Sequence, residues 1–283
     1  MVTKYAILSG SVYALIGISF FLPYITRRFF DLAHAAVFTW GAYFGYYYAQ
    51  TLHLTFLYAT ILASLSCGLL GLLNEIFFLG PIRKRTIGRL APLLASLGLY
   101  VILQNIVSVC FGDDVKLMLP GSRTSAIIIL GFSLTNTQWW TIACTIMSVL
   151  IVWGILNATR LGRGMRCLAQ DSFLAKACGI NTSAVQKWAC FIGSSLCGLA
   201  GILVGTDTAM VPTMGLNMLM ISTVAVVLGQ KWGVLGIVVC ALFLAFAQRG
   251  GAYLIGAQWQ DAIALLVLLL FLAVGPARLV RDQ

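Results

Sequence analysis

The chain has 283 residues, of which 60% are hydrophobic and only 9% are charged, and its formal net charge is +10. A soluble domain carries roughly a quarter charged residues, so this composition excludes an ordinary water-soluble protein. Apolar runs near 20 residues recur along the chain, which is about the length of helix that crosses a bilayer. A transmembrane β-barrel is excluded, because it would show short alternating strands instead.

The apolar runs predict an all-α, polytopic transmembrane protein that forms a single domain over residues 1–283. Eight or nine spans are expected, because the run at 216–230 is short enough to be re-entrant. In the longest outer loop, Pro120-Gly121 marks a turn, and the stretch AIIILGF after it is a strand or an interfacial segment. In chain order, the predicted spans cover residues 5–24, 35–52, 54–79, 90–111, 137–158, 188–208, 216–230, 233–249 and 257–275.

The basic residues determine the expected orientation, because cytoplasmic loops of membrane proteins carry an excess of Lys and Arg. When segment 159–187 is placed in the cytoplasm and the spans alternate from it, 14 of the 18 basic residues fall on the inner side. The N-terminus is then outside and the C-terminus inside. The positive charge therefore indicates membrane topology and requires no nucleic-acid partner. The outer basic residues are Lys4, Lys116, Arg123 and Arg249.

Motifs of catalysis and cofactor binding are absent from the sequence. It contains no GxxxxGKS/T phosphate-binding loop and no HExxH zinc motif. The eight cysteines mostly lie inside apolar runs, form no CxxC pair and join no histidine cluster, which is typical of small packing residues. We therefore predict no catalytic residue, no metal site and no cofactor.

The polar segment 159–187 interrupts the apolar pattern and predicts a short helix outside the lipid. Asp171 is a good N-cap, and Gly179 supplies the left-handed position that ends a helix. Between them, Phe173, Leu174 and Ala177 are spaced to form one apolar face. Since two helical turns are not stable alone in water, either the protein's own membrane base or a partner's groove must cover this face. A further turn or two of helix is expected before it, through 163–169.

The sequence GRGMRCLAQDSFLAKACGIN (162–181) resembles the coupling loop of ABC importer permeases of the branched-chain amino acid (LivH/LivM) family. The family pattern there is roughly GRxxRAxxEDxxxAxxxGIN. This chain departs from it at Gln170, where the family usually has Glu. The residues that match are Gly162, Arg163, Arg166, Asp171, Ala175, Gly179, Ile180 and Asn181.

The resemblance extends over residues 29–275. The stretch FFDLAHAAVFTWGAY (29–43) is similar to the family's INFAHGxxxMxGAY, and His34 matches within it. The stretch 80–112 is similar to RPLRxxxxxxPLIxxIGxxxxLQNxxxxxxG, with Gln104 and Asn105 in matching positions. The stretch 228–239 fits the family's LGGxGSxxGAxxG loosely at its glycines, but Gln230, Lys231 and Trp232 depart from it.

The resemblance implies a multi-pass permease subunit of the bacterial inner membrane that has no ATPase site of its own. Its implied partners are cytoplasmic ATP-binding subunits, a second permease subunit that is the same or a related chain, and a periplasmic or surface substrate-binding protein. Membrane lipid surrounds the complex. The implied ATPase-coupling residues are Gly162, Arg163, Arg166, Gln170, Asp171, Ala175 and Gly179. The implied substrates are branched-chain or related amino acids.

Four polar residues within or beside the predicted spans are candidates for the translocation pathway, since polar groups at membrane depth need partners. Asp31 and His34 either line the pathway or act structurally, Asp31 as a helix cap and His34 through an internal hydrogen bond. Gln104 and Asn105 either contact substrate or hold helices together. Glu75 is expected to pair with Arg83 or Lys84.

Two other functions fit a polytopic membrane protein. An ion-coupled secondary carrier would show acidic residues near mid-membrane and halves related by inversion, and neither is evident in the sequence. An ABC permease for a different small polar solute, such as urea or short amides, shares the features described above. The sequence itself does not discriminate among the substrates of such permeases.

Overall fold

The computed structural model describes residues 2–85, 90–118, 126–129 and 132–274. Within them the chain is almost entirely helical, as predicted, apart from two short strands. The helices are α1 (Val2–Arg27), α2 (Ala33–Tyr46), α3 (Phe56–Asn74), α4 (Gly80–Arg85), α5 (Ala91–Phe111), α6 (Asn136–Ala158), α7 (Arg160–Gln170), α8 (Ser172–Ala177), α9 (Thr182–Asp207), α10 (Met214–Gly229), α11 (Gly233–Ile255) and α12 (Gln260–Val274). The strands are β1 (Ala126–Ile129) and β2 (Phe132–Thr135).

Six stretches of the described chain are long and apolar enough to cross a membrane. Four of them coincide with α1, α5, α6 and α9, and a fifth runs from α3 through a π-helical turn into α4. The sixth, Met214–Tyr253, contains both α10 and α11, which pack against each other. The predicted count of eight or nine spans is therefore not established by length and composition, although a polytopic membrane protein is.

Helix α9 lies at the centre of the fold and packs against α1, α2 and α3. Small residues at these contacts allow the helix backbones to come close together. A Cβ atom at Gly41 of α2 would lie 2.5 Å from the carbonyl oxygen of Gly198 of α9, so only glycine permits this crossing. Two π-helical segments extend the membrane helices within the described residues. One follows α2 (Tyr47–Thr51), and the other is the turn between α3 and α4 (Glu75–Leu79).

The loop between α5 and α6 contains a small hairpin. Strands β1 and β2 pair antiparallel, with Ala126 opposite Thr135 and Ile129 opposite Phe132. The stretch AIIILGF thus includes a strand, one of the two predicted alternatives, while Pro120-Gly121 lies outside the described residues. Lys116 also forms an antiparallel bridge with Met210, which ties this loop to the chain between α9 and α10.

The atypical Gln230–Trp232 segment forms a single 3₁₀ turn between α10 and α11. The two helices still cross closely, because a Cβ atom at Gly229 would lie 2.6 Å from the backbone of Gly236. Gly233 has a φ of 70°, which lets the chain reverse direction after the turn. The departure from the family pattern is therefore confined to the turn itself and leaves the glycine crossing in place.

Candidate coupling site

Helix α7 follows α6 directly and has one buried and one exposed face. The side-chain oxygen of Thr159 accepts a hydrogen bond from the N–H of Gly162 at 3.1 Å and so caps the helix. A Cβ atom at Gly162 would overlap the carbonyl oxygen of Ile155, so this sharp turn requires glycine. Met165 and Leu168 are buried beneath the helix. The implied coupling residues Arg163, Arg166 and Gln170 are exposed on its other side.

Helix α8 has the two caps that the sequence predicts. The carboxylate of Asp171 accepts hydrogen bonds from the backbone N–H groups of Phe173 at 2.7 Å and Leu174 at 3.3 Å. At the other end, Gly179 has a φ of 77°. The N–H of Ile180 donates to the carbonyl of Ala175, and that of Gly179 donates to the carbonyl of Lys176. This is the Schellman arrangement, and it holds a helix of only six residues in a defined shape.

The apolar face of α8 is largely uncovered. Ala175 is buried against the rest of the chain, whereas Phe173 is 77% exposed and Leu174 is 60% exposed. Ala177 is also exposed. In the described part of the chain, the protein's own membrane base therefore does not cover this face, contrary to one of the two alternatives above. The exposed apolar pair is available to a partner.

Arg28 joins the end of α7 to the end of α1, and sequence reasoning did not identify it. Its guanidinium donates hydrogen bonds to the carbonyl oxygens of Ala169 and Gln170, which are the last residues of α7. These carbonyls carry the partial negative charge of a helix C-terminus, so a cation stabilises them. Arg28 itself has a φ of 55°, which is uncommon for a residue other than glycine. The only available signal was its position directly after the first span.

A buried ionic network lies at the same end of the membrane helices. Glu75 pairs with Arg83 at 2.8 Å, which confirms the predicted contact. Arg27 adds two further pairs, to Asp31 at 2.9 Å and to Glu75 at 3.5 Å. Arg83 also donates to the side-chain oxygen of Gln186 at 2.7 Å. The network therefore connects α1, the start of α2, the end of α3, α4 and α9.

Asp31 and His34 have internal partners in this structure. Besides pairing with Arg27, Asp31 accepts a hydrogen bond from the N–H of Ala33 at 3.1 Å, at the start of α2. His34 is 2% exposed, and its Nε2 lies 3.1 Å from the hydroxyl oxygen of Ser19 on α1. These contacts support the structural alternative for both residues.

Gln104 and Asn105 lie on α5 and, unlike Asp31 and His34, are not buried. Gln104 is half-buried and Asn105 is exposed. The side-chain amide of Asn105 donates to the carbonyl of Val101 in its own helix at 2.7 Å, so it joins no second helix within the described chain. Its neighbours Ile102 and Ile106 are exposed as well. The two polar residues therefore sit on an outward face of the subunit.

The described residues hold no group of three or more His, Cys, Asp or Glu side chains arranged to bind a metal ion. The protein is a polytopic membrane protein, because the described chain has six candidate membrane stretches. Glycine residues allow the closest contacts between these stretches. Helices α7 and α8 lie outside the stretches, and their exposed surface is the most distinctive polar feature of the described chain.

Comparison with known proteins identifies the family. A model described as the permease component of branched-chain amino acid transport systems matches residues 2–272. The chain therefore belongs to this family. The permease protein BraD of a high-affinity branched-chain amino acid transport system from Pseudomonas aeruginosa is 26% identical, over 94% of this chain and 91% of its own length. LivH of Salmonella typhimurium is 27% identical and LivH of Escherichia coli K12 is 26% identical, each over 94% of this chain and 90% of their own. These relatives support a permease, and they give no support to a secondary carrier.

Proposed function

We propose that the chain is the membrane-spanning permease subunit of an ATP-binding cassette importer for branched-chain or related amino acids in a bacterial inner membrane. It supplies the pathway, and cytoplasmic ATP-binding subunits supply the energy. A second permease subunit and an external substrate-binding protein complete the transporter. A different small polar solute is the alternative cargo, since the names of the relatives describe those relatives' systems and not this one.

The observation that carries this proposal is the exposed pair Phe173 and Leu174 on a helix capped at both ends. An apolar helix face that fits a groove is a common mode of protein docking. The ATP-binding subunit is the partner that a permease of this family requires. Movement of that subunit displaces α7 and α8 together, because only Asp171 separates the two helices. Arg28 and the contacts of α7 with α1 and α9 then pass the movement to the membrane helices.

Nine crossings fit the proposed orientation. The sixth candidate stretch divides into α10 and α11, and the shorter α2 and α12 complete the count. An odd number puts the two termini on opposite sides, and the distribution of basic residues supports an outer N-terminus and an inner C-terminus. We further propose that the α5 face with Gln104 and Asn105 meets the pathway or the second permease, since amide groups facing lipid are unfavourable.

Cysteine labelling tests the orientation. In a background without cysteines, restoring only Cys178 on the exposed end of α8 should allow labelling from the cytoplasmic side alone. A single Asp114→Cys change should be labelled from outside alone, because Asp114 is exposed in the loop after α5. The readout is a membrane-impermeant maleimide applied to intact cells and to inverted vesicles. Labelling of both positions from one side contradicts the proposed topology.

Gly179 tests the docking helix. We expect Gly179→Val to weaken association with the ATP-binding subunit and to lower substrate-stimulated ATP hydrolysis. The cause is backbone strain of about 1–3 kcal/mol at φ 77°. Steric overlap is not involved, because a Cβ atom at Gly179 would meet nothing within 4 Å. Insertion of the chain into the membrane should not change.

Gly179→Asn is the matched control, since asparagine tolerates the left-handed conformation far better than valine. It should retain association and stimulated hydrolysis close to the unmodified protein. Both are measured on complexes reconstituted in lipid. If the valine variant behaves like the asparagine variant, α8 does not need its native shape to dock, and the proposed coupling role is wrong.

A further inference from the structure

A cavity of about 310 Å³ opens beside the ionic network, between the turn after α3, α4 and the start of α9. This volume lies at the lower end of the roughly 300–1,000 Å³ range of small-ligand pockets. It belongs neither to the α7–α8 unit nor to the α5 face. The residues lining it are Glu75, Ile76, Gly80, Pro81, Arg83, Ser183 and Lys187.

Arg83, which lines this cavity, has a guanidinium nitrogen without an acceptor. Its Nη2 donates to Glu75 at 2.8 Å and to Gln186 at 2.7 Å. Its Nη1 is buried and has no acceptor in the part of the chain that the structure describes. A buried charged donor without a partner is unfavourable, because it has lost its contact with water without gaining an acceptor. An acceptor brought by a ligand would relieve that cost.

The charge around the cavity favours an anion. Arg27 and Arg83 together oppose the carboxylates of Asp31 and Glu75, so the network is balanced without Lys187. Lys187 lines the cavity and forms no ion pair among the described residues. The cavity therefore carries one uncompensated positive charge beside the unused guanidinium donor. The sequence after Arg83, residues 84–89, adds three more basic residues.

Exposed aromatic side chains lie next in sequence to residues that line the cavity. Phe77 is 66% exposed and Phe78 is 49% exposed, between the lining residues Ile76 and Gly80. Trp188 directly follows Lys187 in α9 and is half-exposed, with its ring edge-on to Phe191 at 5.9 Å between centroids. Tryptophan concentrates where membrane meets water, because its ring is apolar and its N–H is polar. The cationic cavity is thus flanked in the sequence by exposed aromatic side chains of a kind that suits the membrane surface.

We infer that this cavity binds the headgroup of an anionic phospholipid from the cytoplasmic leaflet. Arg83 Nη1, Lys187 and the hydroxyl of Ser183 bind the phosphate, and the acyl chains lie along Phe77 and Trp188. Basic pockets between helices on the cytoplasmic side are a recognised form of such sites. The assignment to this leaflet rests on the proposed orientation, whereas lipid binding itself does not depend on transport.

Native mass spectrometry of the full chain in detergent tests the inference. Phosphatidylglycerol should be retained in preference to phosphatidylcholine with the same acyl chains. Lys187→Gln should reduce that retention about fivefold, the effect expected from one basic residue near an anionic lipid. Lys231→Gln is the matched control, because Lys231 is exposed on the turn between α10 and α11 and lies outside the cavity. It should leave retention unchanged.

Ser183→Ala provides a second variant, which leaves the ionic network intact, and it should also weaken retention. Glycerol 1-phosphate or inorganic phosphate in excess should not displace the lipid, since neither has acyl chains that could lie along Phe77 and Trp188. Equal retention of the two lipids, equal retention by Lys187→Gln and Lys231→Gln, or displacement by inorganic phosphate each overturns the inference. Association with the ATP-binding subunit is measured separately, so its loss with lipid retention intact contradicts only the proposed function.

Discussion

Replacement of Arg27 by glutamine is expected to lower the free energy of unfolding by about 3–5 kcal/mol. The side chain of Arg27 is only 4% exposed, and those of its partners Asp31 and Glu75 are 9% and 4% exposed. Removing the cation leaves Glu75 paired with Arg83 and leaves the buried carboxylate of Asp31 without an ion-pair partner among the described residues. Burying an uncompensated charge is unfavourable because water no longer solvates it.

The eight free cysteines provide the measurement, because a thiol-reactive fluorescent dye reports the exposure of buried ones such as Cys67 and Cys197 on heating. Arg160→Gln is the matched control: Arg160 is exposed at the start of α7, and its loss should change stability by about 0.5 kcal/mol or less. The double variant Arg27→Gln with Asp31→Asn restores the charge balance and should be more stable than the sum of the single effects. Additive losses would show that the pair is not coupled.

Local chemistry allowed much of the structure of segment 159–187 to be predicted. A carboxylate before a run of helix formers and a glycine after it are sufficient to place the caps at Asp171 and Gly179, since both act through the nearest backbone groups. The pairing of Glu75 with Arg83 could be predicted for a similar reason, because only eight positions separate the two residues near the end of a span. The helical class followed from the composition together with the length of the apolar runs.

Contacts between segments that are distant in the sequence could not be predicted from it. Arg28 reaches carbonyls more than 140 positions away, and no local pattern encodes that distance. Helix α9 begins at Thr182, six residues before the predicted span at 188, because the side chain of Asn181 caps it by accepting from the N–H of Ala184. The hydropathy of a sequence indicates where the apolar part of a helix begins, whereas the helix itself can begin several residues earlier. The predicted segment 159–187 therefore includes the first turns of a membrane helix.

The span count illustrates the same limit. Helix α10 has 16 residues and α12 has 15 described as helical, fewer than a membrane helix ordinarily needs. Length and composition cannot distinguish a short crossing from a re-entrant segment in such cases. The packing of α10 against α1, α2 and α11 places it inside the bundle, where backbone at membrane depth is protected by protein.

The combined substitution Phe173→Ala and Leu174→Ala is expected to abolish coupled transport and to weaken binding of the ATP-binding subunit at least about 30-fold. Well-packed apolar anchors contribute about 2 kcal/mol or more to an interface, and each 1.4 kcal/mol is tenfold in affinity. Alanine is the best helix former, so α8 should keep its shape. Neither side chain is buried in the isolated subunit, so its stability should not fall.

The measurement is the affinity of the purified variant for the ATP-binding subunit, together with substrate uptake and ATP hydrolysis in proteoliposomes. Val115→Ala with Leu117→Ala is the matched control, because both side chains are exposed in the loop after α5 that is proposed to lie outside. That pair should bind the ATP-binding subunit normally. If the α8 variant also binds normally and hydrolyses ATP in step with transport, the exposed face of α8 is not where the energy of ATP enters this permease. The movement must then reach the membrane helices through another cytoplasmic surface, such as the basic face of α7 with Arg163 and Arg166.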